Sequence, residues 1–258
     1  MAYFCGSMQY TLKKSLGQHF LKDENICRKI IDEIQLHPFK QLLEVGPGGG
    51  ALTKYLIKVA HVDFKTVELD REKVAFLEAT YPELRGKIIN EDFLNMQPPF
   101  EGTFSVAGNF PYNISTQILF KAIEWKEQVP SMIGMFQKEV AERAASKEGS
   151  KVYGVLSVLV QAFYNVEYLF DVDPEAFTPP PKVVSGVIRL TMRDDVPEMK
   201  SERHFFNLVK TAFNQRRKTL RNAVKGLFTA EELKDELFNK RAEAISVAQF
   251  AALTFRMQ

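Results

Sequence analysis

The sequence predicts an α/β fold with a mostly parallel sheet, followed by a small all-helical C-terminal domain. Three observations predict it. Between residues 41 and 192, short apolar, β-branched runs alternate with helix-period segments, the pattern of a sheet covered on both faces. The first run ends in a glycine-rich turn that leads into a helix. From about Ser201 the strand signals stop while helical periodicity continues.

Residues 41–45 (Gln-Leu-Leu-Glu-Val) form a short apolar run that reads as a buried parallel strand. Leu52, Leu56 and Val59 then recur on one helical face. Residues 62–69 are β-branched and aromatic and predict the next strand. Asp70 is placed to cap a helix over 71–79. Strands are predicted at 88–89, 103–107 and 132–136, and helices at 115–125 and 138–145. The apolar run 155–163 fits a helix or a strand equally. Two late strands, 166–170 and 183–192, flank the run Thr178-Pro-Pro-Pro181. Beyond it, helices are predicted at 201–212, 219–225, 231–237 and 247–255. The expected organisation is a leader or disordered segment over 1–11, with Met8 as the natural start, a catalytic domain over 12–194, and a helical domain over 195–258.

Cys5 and Cys27 provide neither a disulfide framework nor metal-ligand spacing, so a reducing, cytoplasmic setting without a metal is expected. No apolar run reaches the roughly 18 residues of a membrane span, and the N-terminus lacks a secretory pattern. A monomer is the default expectation. The net charge of +2 says little about nucleic acid, but its distribution says more. Eight Lys/Arg stand against the single acid Glu202 between Lys200 and Lys225, a local excess that suits a polyanion. As one helix, residues 213–225 would group Arg217, Lys218, Arg221 and Lys225 with Asn214 on one sector. Arg216 belongs to the same basic run, and Phe213, Leu220 and Val224 would form the adjacent docking face.

The loop Glu44-Val-Gly46-Pro-Gly48-Gly-Gly50 lies between a strand and a helix, where glycines let the backbone approach a nucleotide. Gly46, Gly48 and Ala51 also satisfy the dinucleotide pattern of nicotinamide enzymes, while Glu44 favours the methyltransferase form E-x-G-x-G-x-G. Glu68, about 20 residues on, is placed to accept both ribose hydroxyls. Asp92 follows the third strand, where a carboxylate can accept from a cofactor's adenine amino group, with Phe93 beside it.

Asn109-Phe110-Pro111-Tyr112 follows the fourth strand at the carboxyl edge of the sheet. The N6 amine of adenine is a poor nucleophile because its lone pair is delocalised. The Asn109 side-chain carbonyl and the Pro111 backbone carbonyl can accept its two N–H bonds and favour the charge-developing form. Tyr112 offers a ring on which the base stacks, and phenylalanine there would keep that face.

Together, Gly17-Gln-His-Phe-Leu21, residues 44–50, Glu68, Asp92, residues 109–116, 177–190 and 213–222 resemble the small-subunit ribosomal RNA adenine dimethyltransferase family. The resemblance implies a Rossmann-like, S-adenosylmethionine-dependent methyltransferase domain. It also implies dimethylation of N6 on two adjacent adenines near the 3′ end of small-subunit ribosomal RNA, with a ribosome-assembly checkpoint as a compatible second role. It places His19 and Leu21 over the cofactor, with His19 where the family often has Asn. Gly46, Gly48, Glu68, Asp92 and Asn109 carry over as further cofactor contacts, and Phe177 as a stacking face opposite Tyr112. The rival readings are an erythromycin-resistance type methyltransferase of large-subunit RNA and a non-catalytic assembly factor. A DNA adenine methyltransferase fits less well, because that class more often has Pro-Pro-Tyr after its Asp or Asn. A nicotinamide oxidoreductase leaves Asn-Phe-Pro-Tyr without a purpose.

Overall fold

The structure, a computed structural model, describes residues 19–215 and 217–258 in full and residues 2–5 and 8–11 by their backbone. In chain order the strands and helices are β1 (Ala2–Cys5), β2 (Met8–Thr11), β3 (Phe20–Leu21), α1 (Glu24–Gln35), β4 (Gln41–Val45), α2 (Thr53–Leu56), β5 (Asp63–Val67), α3 (Arg71–Thr80), β6 (Ile88–Ile89), β7 (Ser105–Asn109), α4 (Ser115–Glu124), β8 (Ser131–Gln137) and α5 (Lys138–Ala145). There follow α6 (Val155–Gln161), β9 (Tyr164–Val172), β10 (Phe177–Thr178), β11 (Ser185–Met192), α7 (Glu202–Phe213), α8 (Leu220–Ala223) and α9 (Val247–Leu253).

The chain divides into two compact units, residues 1–141 with 167–192, and residues 142–166 with 193–258. The second unit's longer segment begins at residue 193. The segment 142–166, assigned from sequence to the catalytic domain, instead groups with the helical unit. Its helix α6 is held from within that unit, where Ser157 Oγ donates to the Arg143 carbonyl at 2.6 Å and accepts from the Gly154 N–H at 3.0 Å. That settles 155–163 in favour of a helix. Within the expected leader, β1 and β2 form an antiparallel pair.

A seven-stranded sheet, ordered β6-β5-β4-β7-β8-β11-β9, forms the first unit's frame. The pairs β5–β6, β4–β5, β4–β7 and β7–β8 are parallel, and β11 runs antiparallel to β8. The chain leaves β4 towards β5 on one side and returns to β7 on the other. This reversal opens a crevice at the carboxyl ends of the strands, where open α/β sheets bind ligands. The strand predicted at 103–107 is shifted to Ser105–Asn109, which makes Asn109 its last residue.

Sequence reading passed over α1. Asp23 caps it by accepting from the N–H groups of Asn25 and Ile26, and it buries Cys27, Ile30, Ile31 and Ile34 at the i, i+3, i+4, i+7 spacing. In the second unit, Ser201 caps α7 and a Ser246–Gln249 capping box opens α9. The helix predicted at 231–237 is two short 3₁₀ turns, because the Asp235 side chain accepts from the Leu237 N–H and starts a new turn. The single helix over 213–225 is also corrected. Helix α7 ends at Phe213, Thr219 is extended at ψ 156°, and the Leu220 N–H donates to the Lys240 carbonyl at 2.7 Å rather than back along a helix. Among the described residues, no helix is long and apolar enough to cross a membrane.

Candidate active site

Four parallel strands deliver their carboxyl-end loops to one cleft. After β4 come residues 46–49, after β5 Glu68 and Leu69, after β6 Glu91–Leu94, and at the end of β7 Asn109–Ile114. His19, Phe20 and Leu21 close it as a strap. Strand β3 of the strap pairs with β10, Leu21 opposite Phe177 and Phe20 opposite Thr178. The Lys22 N–H donates to the Ala176 carbonyl at 2.8 Å and extends that anchorage.

The glycine turn requires its glycines. Gly46 and Gly48 have φ of +68° and +59°, the left-handed region that side-chain-bearing residues rarely adopt. A Cβ on Gly48 would also sit 3.2 Å from the Phe20 ring. Glu68 is held by three partners. Its Oε1 accepts the Asp70 N–H at 2.9 Å, its Oε2 accepts the Gly48 N–H at 3.4 Å, and Lys73 Nζ stands 4.0 Å away. Asp70 caps α3 as expected. Asp92 is held by the Leu94 N–H at 3.0 Å and Asn95 Nδ2 at 2.8 Å, and the buried Phe93 ring meets Trp125 edge-on at 5.3 Å.

Glu44 lies beneath the glycine turn, buried, with the Thr53 hydroxyl donating to its Oε2 at 2.7 Å. Burial pushes its carboxyl up to about 8; the Thr53 hydrogen bond opposes the rise and the negative charge of Glu68 adds to it. It lines the cleft as a neutral acid at pH 7.

One of the two N–H bonds of Asn109 Nδ2 donates to the His19 carbonyl at 3.2 Å, and the residue lines the cleft. The Pro111 carbonyl accepts the Ile114 N–H at 3.2 Å, and Ser115 Oγ lies 3.4 Å away, closer to the Tyr112 carbonyl at 3.1 Å. One acceptor position of Pro111 is therefore weakly used. Phe110 is the buried peg of the loop, with its ring 4.8 Å from Phe136 and tight against Gly108 and Gly134. The Tyr112 ring stacks at 5.5 Å on His19, whose Nδ1 donates to the Pro179 carbonyl at 2.9 Å.

Every cofactor residue expected from sequence thus lines one cleft, together with Asn109, Pro111 and Tyr112. Phe177 does not. It is 1% exposed in the core with Leu21, Val172 and Ala176, and its ring is not available to stack on a base. Its position in β10 explains this: it anchors the strap from beneath. Sequence reading also passed over Lys73, a buried lysine five residues after Glu68 whose Nζ lies 5.2 Å from the Phe20 ring.

In the second unit, Arg217, Lys218 and Lys225 are exposed, the first two between α7 and α8. Arg221 is half-buried and its Nε donates to the Leu233 carbonyl at 2.8 Å, which ties its side chain to the fold. Arg216 lies outside the described residues.

The family model described as ribosomal RNA adenine dimethylase matches residues 9–257. The chain belongs to this family. Proteins named ribosomal RNA small subunit methyltransferase A resemble this family member closely. The one from Flavobacterium johnsoniae is 51% identical over 95% of each chain, and the one from Cytophaga hutchinsonii is 50% identical over 94% of this chain and 95% of its own. A solved dimethyladenosine transferase from Plasmodium falciparum superposes with a TM-score of 0.77 at 25% identity, covering 90% of this dimethylase and 94% of that chain. The 23S ribosomal RNA methyltransferase ErmE shares the fold, with a TM-score of 0.74 at 22% identity over 92% of this chain and 99% of its own.

Proposed function

We propose that this protein transfers methyl groups from S-adenosylmethionine to N6 of two adjacent adenines near the 3′ end of small-subunit ribosomal RNA, giving dimethyladenosine. The observation that carries the reading is the orientation of Asn109. One N–H of its amide is anchored on the His19 carbonyl, and in this reading its Oδ1 accepts an N–H of the target amine.

The cleft fits S-adenosylmethionine by the chemistry of its donors and acceptors. Glu68 presents an oriented carboxylate for the ribose hydroxyls, Asp92 an acceptor for the adenine amino group, and the glycine turn a backbone open to close approach. His19, Leu21 and Phe93 supply the walls. When bound, the cofactor supplies an electrophilic sulfonium methyl group.

The chain's own residues do the rest. Asn109 Oδ1 and the Pro111 carbonyl accept the N6 hydrogens and stabilise the positive charge that develops as the nitrogen becomes pyramidal. The Tyr112 ring holds the extruded base by stacking. The acidic proton of the alkylated nitrogen leaves to solvent before a second methyl is added. Arg217, Lys218 and Lys225, with Arg216, neutralise RNA phosphates and set position without reading sequence. The setting is the bacterial cytoplasm, and the enzyme acts as a monomer without a metal.

Complementation tests the reading. In a bacterium lacking its own small-subunit adenine dimethyltransferase, this chain restores dimethyladenosine to small-subunit RNA, and its Asn109→Ala variant does not. Failure of the wild-type chain, although expressed and folded, overturns the proposal.

A further inference from the structure

We propose that Ser185 is a positioning residue for methyl transfer, its buried hydroxyl fixing the Tyr112 ring in the orientation on which the target base stacks. The inference rests on the reading of residues 109–112 as the base site.

Tyr112 opens a short 3₁₀ turn, Tyr112–Ile114, at the rim of the cleft. A ring there, attached only through its own backbone, is free to turn about two side-chain bonds. Two contacts remove that freedom. The His19 imidazole stacks against one face, 29° from parallel. The phenol hydroxyl shares a hydrogen bond of 2.5 Å with Ser185 Oγ, 73 residues away in sequence. Ser185 is fully buried and is the first residue of β11, paired opposite Gln137 in a register that continues through Thr191 opposite Ser131. The tip of the ring is thereby tied to the sheet and its base to the end of β7.

Burial raises the Tyr112 phenol above its ordinary value, an effect the Ser185 hydrogen bond opposes, so the hydroxyl stays protonated at neutral pH. Its use is orientation: a ring fixed before the base arrives loses less conformational entropy on binding. On this proposal Tyr112→Phe keeps the stacking face but loses the anchor to Ser185.

The test compares Ser185→Ala, Tyr112→Phe, the double variant and Ser185→Thr. Steady-state methylation of undermethylated small subunits gives kcat/KM, and calorimetry gives S-adenosylmethionine affinity. Each single loss of hydroxyl lowers kcat/KM roughly fivefold to tenfold, the worth of one neutral hydrogen bond. The double variant falls no further, Ser185→Thr recovers most of the loss, and cofactor affinity is unchanged in all. Multiplicative losses, or wild-type kcat/KM in Tyr112→Phe, overturn the proposal; the latter holds even where Ser185→Ala fails to fold. ¹⁹F NMR of the 3-fluorotyrosine-labelled protein reads the link without turnover. The Tyr112 resonance, assigned by its disappearance in Tyr112→Phe, shifts and broadens in Ser185→Ala. An unmoved resonance overturns the link itself, whereas a wild-type enzyme that methylates no adenine overturns only the proposed function.

Discussion

The side-chain amide of Asn109 donates to the backbone carbonyl of His19 at 3.2 Å, joining the end of the fourth parallel strand to the strap that closes the cleft. The link anchors the amide at the edge of the cleft. Replacing Asn109 with alanine removes an acceptor that acts mainly where charge develops. Single-turnover rates of Asn109→Ala should fall roughly 100-fold or more while RNA affinity changes little. A near-normal rate would remove Asn109 from the reaction.

Glu68 is held by two backbone N–H groups and faced by Lys73, so its carboxylate is oriented before any ligand arrives. Glu68→Ala is expected to cost about 2–3 kcal/mol of S-adenosylmethionine affinity, the scale of a charge-assisted pair of hydrogen bonds. Calorimetry against the wild type reads this directly.

Gly134 has no side chain because Phe110 occupies the space. A Cβ there would lie 1.8 Å from the Phe110 ring. Gly134→Ala must push Phe110 aside, at about 1–3 kcal/mol for an overpacked core. Because Phe110 lies between Asn109 and Pro111, turnover should fall further than cofactor affinity. Equal losses of both would show that the cleft responds as one body.

Glu44 makes stability fall as pH rises. Its carboxyl titrates near 8 in the fold against an ordinary 4.5, so the folded state keeps a proton that the unfolded chain releases. Its contribution is complete below 4.5 and is lost as pH rises through 8. At pH 7 the loss is roughly 3 kcal/mol. Glu44→Gln, which mimics the protonated form, should therefore gain stability over the wild type between pH 5 and 8 in urea denaturation of the ligand-free protein. A difference that does not grow with pH would contradict this.

Reversing Arg217 and Lys218 together should weaken small-subunit binding and flatten its salt dependence by about one unit of log–log slope per lost phosphate contact. Cofactor affinity should not change. Arg221 is excluded from this test, because its bond to the Leu233 carbonyl makes its loss a change to the fold.

The sheet was legible because its strands carry their burial in their own composition, as in Leu42-Leu43 and Val187-Ile188. The cleft was legible for a related reason: its loops follow those strands directly, and Gly46, Glu68, Asp92 and Asn109 are chemically restricted there. Phe177 was misplaced because an aromatic before a proline run looks alike in a binding loop and in a core. Only its pairing with Leu21 separates the two. The Tyr112–Ser185 bond spans 73 residues and has no local signature. The break between α7 and α8 depends on Lys240 capturing the Leu220 N–H, a distant competition that helical periodicity does not contain. Helix α1 had a full signal, Asp23 followed by the Cys27, Ile30, Ile31, Ile34 stripe, and was simply passed over.

The most direct measurement offers the purified enzyme isotope-labelled S-adenosylmethionine with undermethylated small subunits and, separately, large subunits, and maps the modified nucleosides by mass spectrometry. The expected result is N6,N6-dimethyladenosine at two neighbouring positions in small-subunit RNA, with no label in large-subunit RNA. Label confined to large-subunit RNA, or label on a nucleoside other than adenosine, would contradict the account.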